Sequence, residues 1–324
     1  MKTPRFWQRK SFVSILLIPF SAIYYSIFLI KNLLIKPIKL NKKIICIGNL
    51  TAGGSGKTPT AIALGKIMQD MSIDFNYLSR GYNGSNKKLI TLYKNQQYNP
   101  DLTGDEPLLL KEIAPTIICK NRLKAAKQIA RNKNLKAIIL DDGMQNKSLA
   151  KDFTILVIDT KIKFGNNMIF PAGPLRQTIN SGINQADLIV VIGDKLDQTL
   201  DYLPDSKTTY AKINITNLNR FKDKKLLAFC GLAYPQKFFD LLHKNKLNIV
   251  KKIEFEDHFK YKQKDLEKIL DFCQKNSLTP ITTKKDWVKF SKKYQDKINY
   301  LDIELVFNND QIVRKKIDKM MNSN

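Results

Sequence analysis

Lys43-Ile44-Ile45-Cys46-Ile47 runs into Gly48-Asn49-Leu50-Thr51-Ala52-Gly53-Gly54-Ser55-Gly56-Lys57-Thr58, and the reading of this stretch decides the fold. An apolar strand passes into a glycine-rich turn, and residues 60–68, Thr-Ala-Ile-Ala-Leu-Gly-Lys-Ile-Met, continue it as a helix. Glycines at 53, 54 and 56 let the backbone turn tightly and aim successive N–H groups at an anion, to which the helix adds the positive end of its dipole. Gly53, Gly54, Ser55, Gly56, Lys57 and Thr58 are therefore expected to cradle a nucleotide's phosphates, with Lys57 reaching the β- and γ-phosphates and Thr58 ligating Mg²⁺. The strict pattern G-x-x-x-x-G-K-[ST] has glycine where this chain has Thr51. A plain glycine turn with a surface lysine is the rival, and the strand before and helix after favour the nucleotide.

Working outward, apolar runs alternate with helical segments. A strand at 75–79 ends in Arg80-Gly81, where an arginine faces the ligand crevice of a parallel sheet or is a solvated turn residue. A short strand at 88–93 precedes Thr103-Gly104-Asp105-Glu106-Pro107, two acids at the start of a helix at 108–113. Acids there serve as caps or dipole partners. A strand at 116–119, a basic amphipathic helix at 122–131 and a buried strand at 137–140 lead to Asp141-Asp142-Gly143. Acids ending a buried strand hold Mg²⁺ or its water opposite a phosphate loop. Further strands lie at 154–159 and 188–192. Strands apolar on both faces and separated by helices give an α/β fold, a doubly wound and mainly parallel sheet of the P-loop NTPase kind. From about 219 the order restarts, with strands at 225–231, 249–255 and 279–283 and helices near 235–242, 264–276 and from 286. The expected division is an N-terminal segment 1–38, a nucleotide-binding domain 39–218 and a smaller C-terminal α/β domain 219–324 that closes over the site.

Fifty-five Lys plus Arg against twenty-nine Asp plus Glu give a net charge of +26, which favours anionic partners. The lysines are dispersed and no basic stripe is interleaved with aromatics, so no nucleic acid is expected. Cys46, Cys119, Cys230 and Cys273 form no C-x-x-C pair, which excludes a zinc site or disulfide framework and points to a reducing compartment.

Ser11 to Ile30 carries no charge and is flanked by Arg5, Arg9 and Lys10 before it and Lys31, Lys36 and Lys39 after it. It is just long enough to span a bilayer, but Pro19 and basic residues at both ends fit a helix lying on an anionic membrane surface at least as well. A buried core helix is the third reading.

Gly48-Asn49-Leu50-Thr51 with Gly53-Gly54-Ser55-Gly56-Lys57-Thr58-Pro59, then Ser79-Arg80-Gly81-Tyr82, Gly104-Asp105-Glu106-Pro107, Asp141-Asp142-Gly143-Met144-Gln145, Pro171-Ala172-Gly173-Pro174-Leu175-Arg176 and Asp257-His258-Phe259 together resemble the tetraacyldisaccharide 4′-kinases of lipid A synthesis. The resemblance covers nearly the whole chain and accounts for Thr51, which belongs to that family's loop. It implies transfer of the ATP γ-phosphoryl group to the 4′-hydroxyl of a lipid disaccharide monophosphate, at the cytoplasmic face of a bacterial inner membrane, with ATP and Mg²⁺ and no obligate protein partner. By resemblance Asp105 is the base, paired with His258, and Lys57 completes the catalytic set. Gln145 joins the nucleotide site, Asp142 and Asp141 join Thr58 at the metal, and Arg80, Asn121, Arg122 and Arg176 contact phosphate or disaccharide. Four residues depart from the family pattern: Met144 where a phenylalanine is usual, Asn146 where a histidine is usual, Gln177 where a glutamate is usual, and Asn83 where a glycine is usual. The second hypothesis is a membrane-associated P-loop ATPase that switches partners; such proteins often carry a lysine where this chain has Ala52.

Overall fold

The computed structural model describes residues 4–86, 88–193 and 198–323. Helices α1 (Phe12–Leu16) and α2 (Ile18–Leu34) precede strand β1 (Lys43–Gly48), which enters the glycine loop and helix α3 (Lys57–Asp70). Strands β2 (Phe75–Ser79) and β3 (Ile90–Leu92), short helices α4 (Pro100–Thr103) and α5 (Glu106–Leu110), and strand β4 (Thr116–Ile118) follow. Helix α6 (Arg122–Ile129) leads to strands β5 (Ala137–Asp141) and β6 (Phe153–Asp159), helix α7 (Ile179–Gln185), and strands β7 (Leu188–Ile192) and β8 (Thr208–Ile215). The remainder comprises β9 (Lys225–Cys230), α8 (Gln236–Lys244), β10 (Asn248–Glu254), α9 (Gln263–Lys275), β11 (Thr279–Thr283), α10 (Lys284–Trp287), α11 (Lys292–Gln295), β12 (Asn299–Leu301), β13 (Ile303–Phe307) and α12 (Asp310–Asn322).

The large sheet has the order β13-β8-β7-β6-β1-β5-β2-β4-β3 and is parallel except at its two edges, where β13 pairs with β8 and β3 with β4 antiparallel. β1 lies at its centre with Ile44, Ile45, Cys46 and Ile47 wholly buried, because each face of the sheet carries its own apolar layer. The register sets Ile47 beside Asp141, so the glycine loop and the acid pair leave neighbouring strands at the same end. A second, all-parallel sheet, β10-β9-β11-β12, is likewise covered on both faces.

The span expected for the second domain, 219–324, differs at its end. β13 returns to the first sheet, pairing Ile303 with Ile215 through Phe307 with Ala211, and α12 buries Val313, Ile317 and Met320 in the first domain's core. An apolar i, i+4, i+7 face needs a sheet to cover, and the edge at β8 supplies it. The helix expected from 286 is only the one-turn α10, beginning at Lys284.

The apolar N-terminal segment is also not one helix. Ser11 caps α1, the chain breaks at Leu17, and α2 restarts with Pro19 in its first turn. Proline lacks the N–H and crowds the carbonyl four residues back, so the break falls where it must. Among the described residues no helix is long and apolar enough to cross a membrane. Phe12, Leu16, Phe20, Ile23, Ile27, Leu33 and Leu34 are exposed, while the opposite side docks on the loop before Arg176. There the Trp7 indole donates to Pro171 O at 3.0 Å, Ser21 Oγ donates to Ile169 O at 2.8 Å, and Tyr24 meets Phe170 edge-on.

Candidate active site

Gly53 and Gly56 have φ of 117° and 87°, conformations an L side chain rarely adopts, and a Cβ at Gly56 would fall 2.3 Å from Ile192. Gly56 begins α3, so the turn ends on a helix N-terminus, as expected for an anion cradle. Asn49, quoted in the loop but not singled out, is its scaffold. It is buried, its amide donates to Thr51 O at 2.7 Å, and its Oδ1 accepts from Lys57 Nζ at 2.9 Å. Thr51 bridges Leu175 and Ala52 N donates to Pro174 O, which fastens the loop 171–176 alongside the glycine turn.

That fastening brings Arg176 to the acid pair. Its Nη1 lies 3.1 Å from Asp142 Oδ1, and Lys57 Nζ stands 3.6 Å from the same oxygen. Burial would raise the Asp142 carboxyl, but Lys57, Arg176 and Arg122 outweigh it and hold Asp142 well below the usual range. Asp141 is treated oppositely: burial and the Asp142 charge push it up to about 6, and its Oδ1 is buried without a hydrogen-bond partner. Ser55 Oγ in the glycine turn is orphaned in the same way. Gln145 donates to Asn49 O at 3.0 Å and to Gln177 Oε1 at 3.3 Å. Gln177 is wholly buried, with Ser181 and Gln185 completing an uncharged network. Met144 packs on Gly48, whose Cβ would fall 2.4 Å from that of Met144, so this residue serves the core. Asn83 has φ 60°, the left-handed turn that asparagine tolerates, and Asn146 Oδ1 closes a local turn by accepting from Ser148.

The remaining candidates lie in two groups. Arg80 is exposed at the end of β2, whereas Arg122 is buried at the first turn of α6 with its Nε unpartnered; burial lowers its pKa against the pull of Asp142. Asn121 caps that helix by accepting from Lys124 N at 3.0 Å. The second group joins the two domains. Asp105 caps α5, accepting from Glu106 N at 3.2 Å, and both its oxygens face His258 Nδ1, at 3.0 and 2.9 Å. His258 sits in a left-handed turn, φ 56°, with its own N–H on Gly231 O and the Tyr82 ring 5.3 Å away.

Three charged residues around this pair were given no role by the sequence, although the run Thr282-Thr283-Lys284-Lys285-Asp286 belongs to the resemblance. Lys285 Nζ lies 2.9 Å from Glu106 Oε1 and 3.8 Å from Asp105 Oδ2, and Lys289 Nζ lies 3.6 Å from Asp105 Oδ2. Asp286, wholly buried, accepts from Gly231 N, Thr283 Oγ1 and Lys289 Nζ, which holds Lys289 directly and pins the α10 turn that carries Lys285. The Thr283-x-x-Asp286 spacing was the available signal, since a threonine followed three residues on by an acid starts a helix and fixes what lies between. Burial opposes ionisation of Asp105, but Lys285 and His258 outweigh it and hold the carboxyl far below its ordinary range. Glu106, with one oxygen buried and unpartnered, is pushed up to about 7 by burial and by Asp105 in spite of Lys285. The neighbouring carboxyls titrate as a pair, and Asp105 is the member that stays ionised. Lys237 was also missed: it donates to Gly54 O at 3.0 Å and to Asp159 Oδ2 at 2.6 Å, tying the second domain to the glycine turn.

A glycine loop with its lysine facing an acid pair, and an ionised carboxylate paired with histidine beside it, define a phosphotransferase of the P-loop class. A family model described as tetraacyldisaccharide-1-P 4′-kinase matches residues 13–322, and tetraacyldisaccharide 4′-kinases of Rickettsia typhi and Rhodospirillum rubrum are 37% and 31% identical, over 98% and 99% of this chain and 98% of each relative. The chain belongs to the tetraacyldisaccharide 4′-kinase family, the kinases of lipid A biosynthesis, which decides for a kinase over a switch-type ATPase. The crystal structure of LpxK from Aquifex aeolicus in complex with ATP matches with a TM-score of 0.79 at 25% identity, covering 95% of this chain and 99% of that one.

Proposed function

We propose that this chain transfers the γ-phosphoryl group of ATP to a lipid disaccharide monophosphate in the cleft between its two domains, with Asp105 as the base that takes the 4′-hydroxyl proton. The observation that carries this reading is the Asp105–His258 contact at 2.9 Å, made across the domain boundary at the phosphate-loop end of the sheet. An ionised carboxylate can accept a proton, and His258 and the two lysines orient it and balance its charge. Gly53, Gly54, Ser55 and Gly56 offer backbone N–H groups to the phosphates, Lys57 and Arg176 offset charge on the phosphoryl oxygens, and Gln145 holds the loop. Arg122, buried and with an unpartnered Nε, is the candidate for an anionic or sugar oxygen of the acceptor, with Arg80 and Asn121 beside it.

The donor set fits Mg²⁺. Thr58 and the acids Asp141 and Asp142 would hold it, and the orphaned buried Oδ1 of Asp141 is the oxygen left free for a hard cation. When bound it would neutralise charge on the β- and γ-phosphates. The exposed apolar side of α1 and α2 and the flanking arginines and lysines suit an anionic membrane surface at the cytoplasmic face, with α2 lying on the bilayer.

The test is incubation of the full chain with labelled ATP, Mg²⁺ and lipid disaccharide monophosphate in detergent micelles. Lys57→Ala and Asp105→Ala are each expected to reduce product by roughly 10²-fold or more. An Asp105→Ala protein of near wild-type activity removes the base assignment. Floatation with vesicles containing anionic lipid checks the surface, and equal floatation after deletion of residues 4–36 would refute that part.

A further inference from the structure

The far side of the His258 ring carries a second constraint. Its Nε2 faces Lys285 Nζ at 3.4 Å, while Glu106 Oε1 at 3.7 Å and Asp257 Oδ1 at 3.8 Å lie beyond hydrogen-bond reach. An ammonium has three N–H donors and no lone pair, so it meets Nε2 favourably only when that nitrogen bears no proton. The neutral imidazole carries one proton, which must then sit on Nδ1, the atom 2.9 Å from Asp105 Oδ2. Lys285 is in a position to impose this because Glu106 holds it at 2.9 Å and α10, pinned through Thr283 and buried Asp286, fixes its backbone.

We propose that Lys285 is a positioning residue that keeps Nε2 of His258 free of a proton, so that the ring stays neutral while the acceptor-only Asp105 carboxylate holds its one proton on Nδ1. Its charge also opposes the carboxylates Asp105 and Glu106, which favour the doubly protonated ring. Nδ1–H then donates to the Asp105 carboxylate and leaves the carboxylate's other lone pairs for the acceptor hydroxyl. The catalytic consequence rests on Asp105 being the base; the tautomer does not.

Only His243 and His258 occur in the chain, so ¹⁵N-histidine labelling of the full protein in detergent micelles gives two ring systems, assigned with His258→Asn. Above its titration midpoint wild-type His258 is expected to show a protonated Nδ1 and an unprotonated Nε2. In Lys285→Met the acceptor-only Asp105 carboxylate should still hold the neutral ring as Nδ1–H, but Nε2 should take up its proton at higher pH, moving the midpoint upward and with it the acid limb of the kcat/KM profile. Lys285→Arg, which keeps a donor-only cation, should retain the wild-type midpoint and so separates this effect from misfolding. An Nε2–H tautomer in the wild type, or an unchanged midpoint in Lys285→Met, overturns the proposal. An active Asp105→Ala variant overturns the base reading and leaves the tautomer result standing.

Discussion

Lys237 offers a sharp test of how the second domain grips the phosphate loop. Its ammonium donates to Gly54 O and Asp159 Oδ2 from the first turn of α8, and the neighbouring Tyr234 ring lies 3.1 Å from where a Cβ at Gly53 would be. The Lys237 side chain is 24% exposed and that of Asp159 11%, so the pair sits between two regimes. Exposed pairs are worth about 0–1 kcal/mol, and removing one partner of a fully buried pair costs roughly 3–5 kcal/mol. An intermediate value of about 2 kcal/mol follows for Lys237→Met, close to that of one charge-assisted hydrogen bond. Because the bond is made only when the two domains meet, the loss should appear as weaker ATP binding, by roughly 30-fold at most. Asp159→Asn keeps the Gly54 contact and should cost less. The double variant should fall short of the sum of the two by about 1–2 kcal/mol, read as RT ln of the ATP Kd ratios. Additivity within about 0.5 kcal/mol, or an ATP Kd unchanged in Lys237→Met, would refute the idea that this ion pair helps to hold the loop.

Three further outcomes follow from the packing and charge of the site. Gly65→Ala should destabilise the protein in spite of a helix-propensity gain of about 1 kcal/mol, because the new Cβ would fall 1.9 Å from the Tyr77 hydroxyl, which donates to Ala61 O; overpacking of this kind costs roughly 1–3 kcal/mol, and Tyr77→Phe should recover part of the loss in thermal melts. Burial lowers the His258 pKa, but the Asp105 contact more than offsets this and raises it. A raised histidine contributes stability that is full below its unfolded value and lost as pH rises through its folded one, so His258→Gln should lower Tm more at pH 6 than at pH 8.5; an equal or reversed difference contradicts the pairing. Gln177→Glu places a carboxylate among Gln145, Ser181 and Gln185 at a wholly buried position and should cost about 1–3 kcal/mol, with Mg²⁺ and ATP recovering stability only if that position reaches the metal.

Much of the first domain was legible because parallel strands buried on both faces read as unbroken apolar runs: β1, β5, β6 and β7 stand where Ile44–Ile47, Ala137–Leu140 and their counterparts predict them. β8 and β13 were not, since as edge partners they mix buried and open positions, Thr208 to Ile215 alternating with Lys212 and Asn214 exposed or half-exposed. The spacing of Val313, Ile317 and Met320 does mark a helix face, yet nothing local says which of two sheets will cover it. The same division holds at the site. Lys57, Asp141 and Asp142 announce themselves by position after a strand, whereas Lys237, Lys285 and Lys289 are lost among fifty-five basic residues until the fold brings them against carboxylates.

The return of β13 gives the second domain its particular mechanical standing. The chain leaves the first sheet after Ile215 and re-enters at Ile303, and these two residues are register partners, so the covalent ties of the second domain lie side by side at one sheet edge. Asn217 stitches the two crossings together, donating to Tyr300 O at 2.9 Å and accepting from Asp302 N at 3.0 Å. Everything else that holds the domain against the first is noncovalent, and beside the exposed pairs Lys161–Asp240 and Lys260–Asp101 its polar part lies at the site: Lys237 on Gly54 and Asp159, His258 and Lys289 on Asp105, Lys285 on Glu106. Its apolar part includes Val288 against Leu92, Leu108 and Ile118. Charge-assisted contacts at the site make the strength of this interface depend on the ionisation of the residues it positions. Asp105 therefore meets His258 only while the domains are together, and protonating Asp105 weakens the contact that sets it. On the proposed reading of Asp105 as the base, its assembly and the meeting of the two domains are one equilibrium, biased by whatever the glycine loop and the acid pair hold.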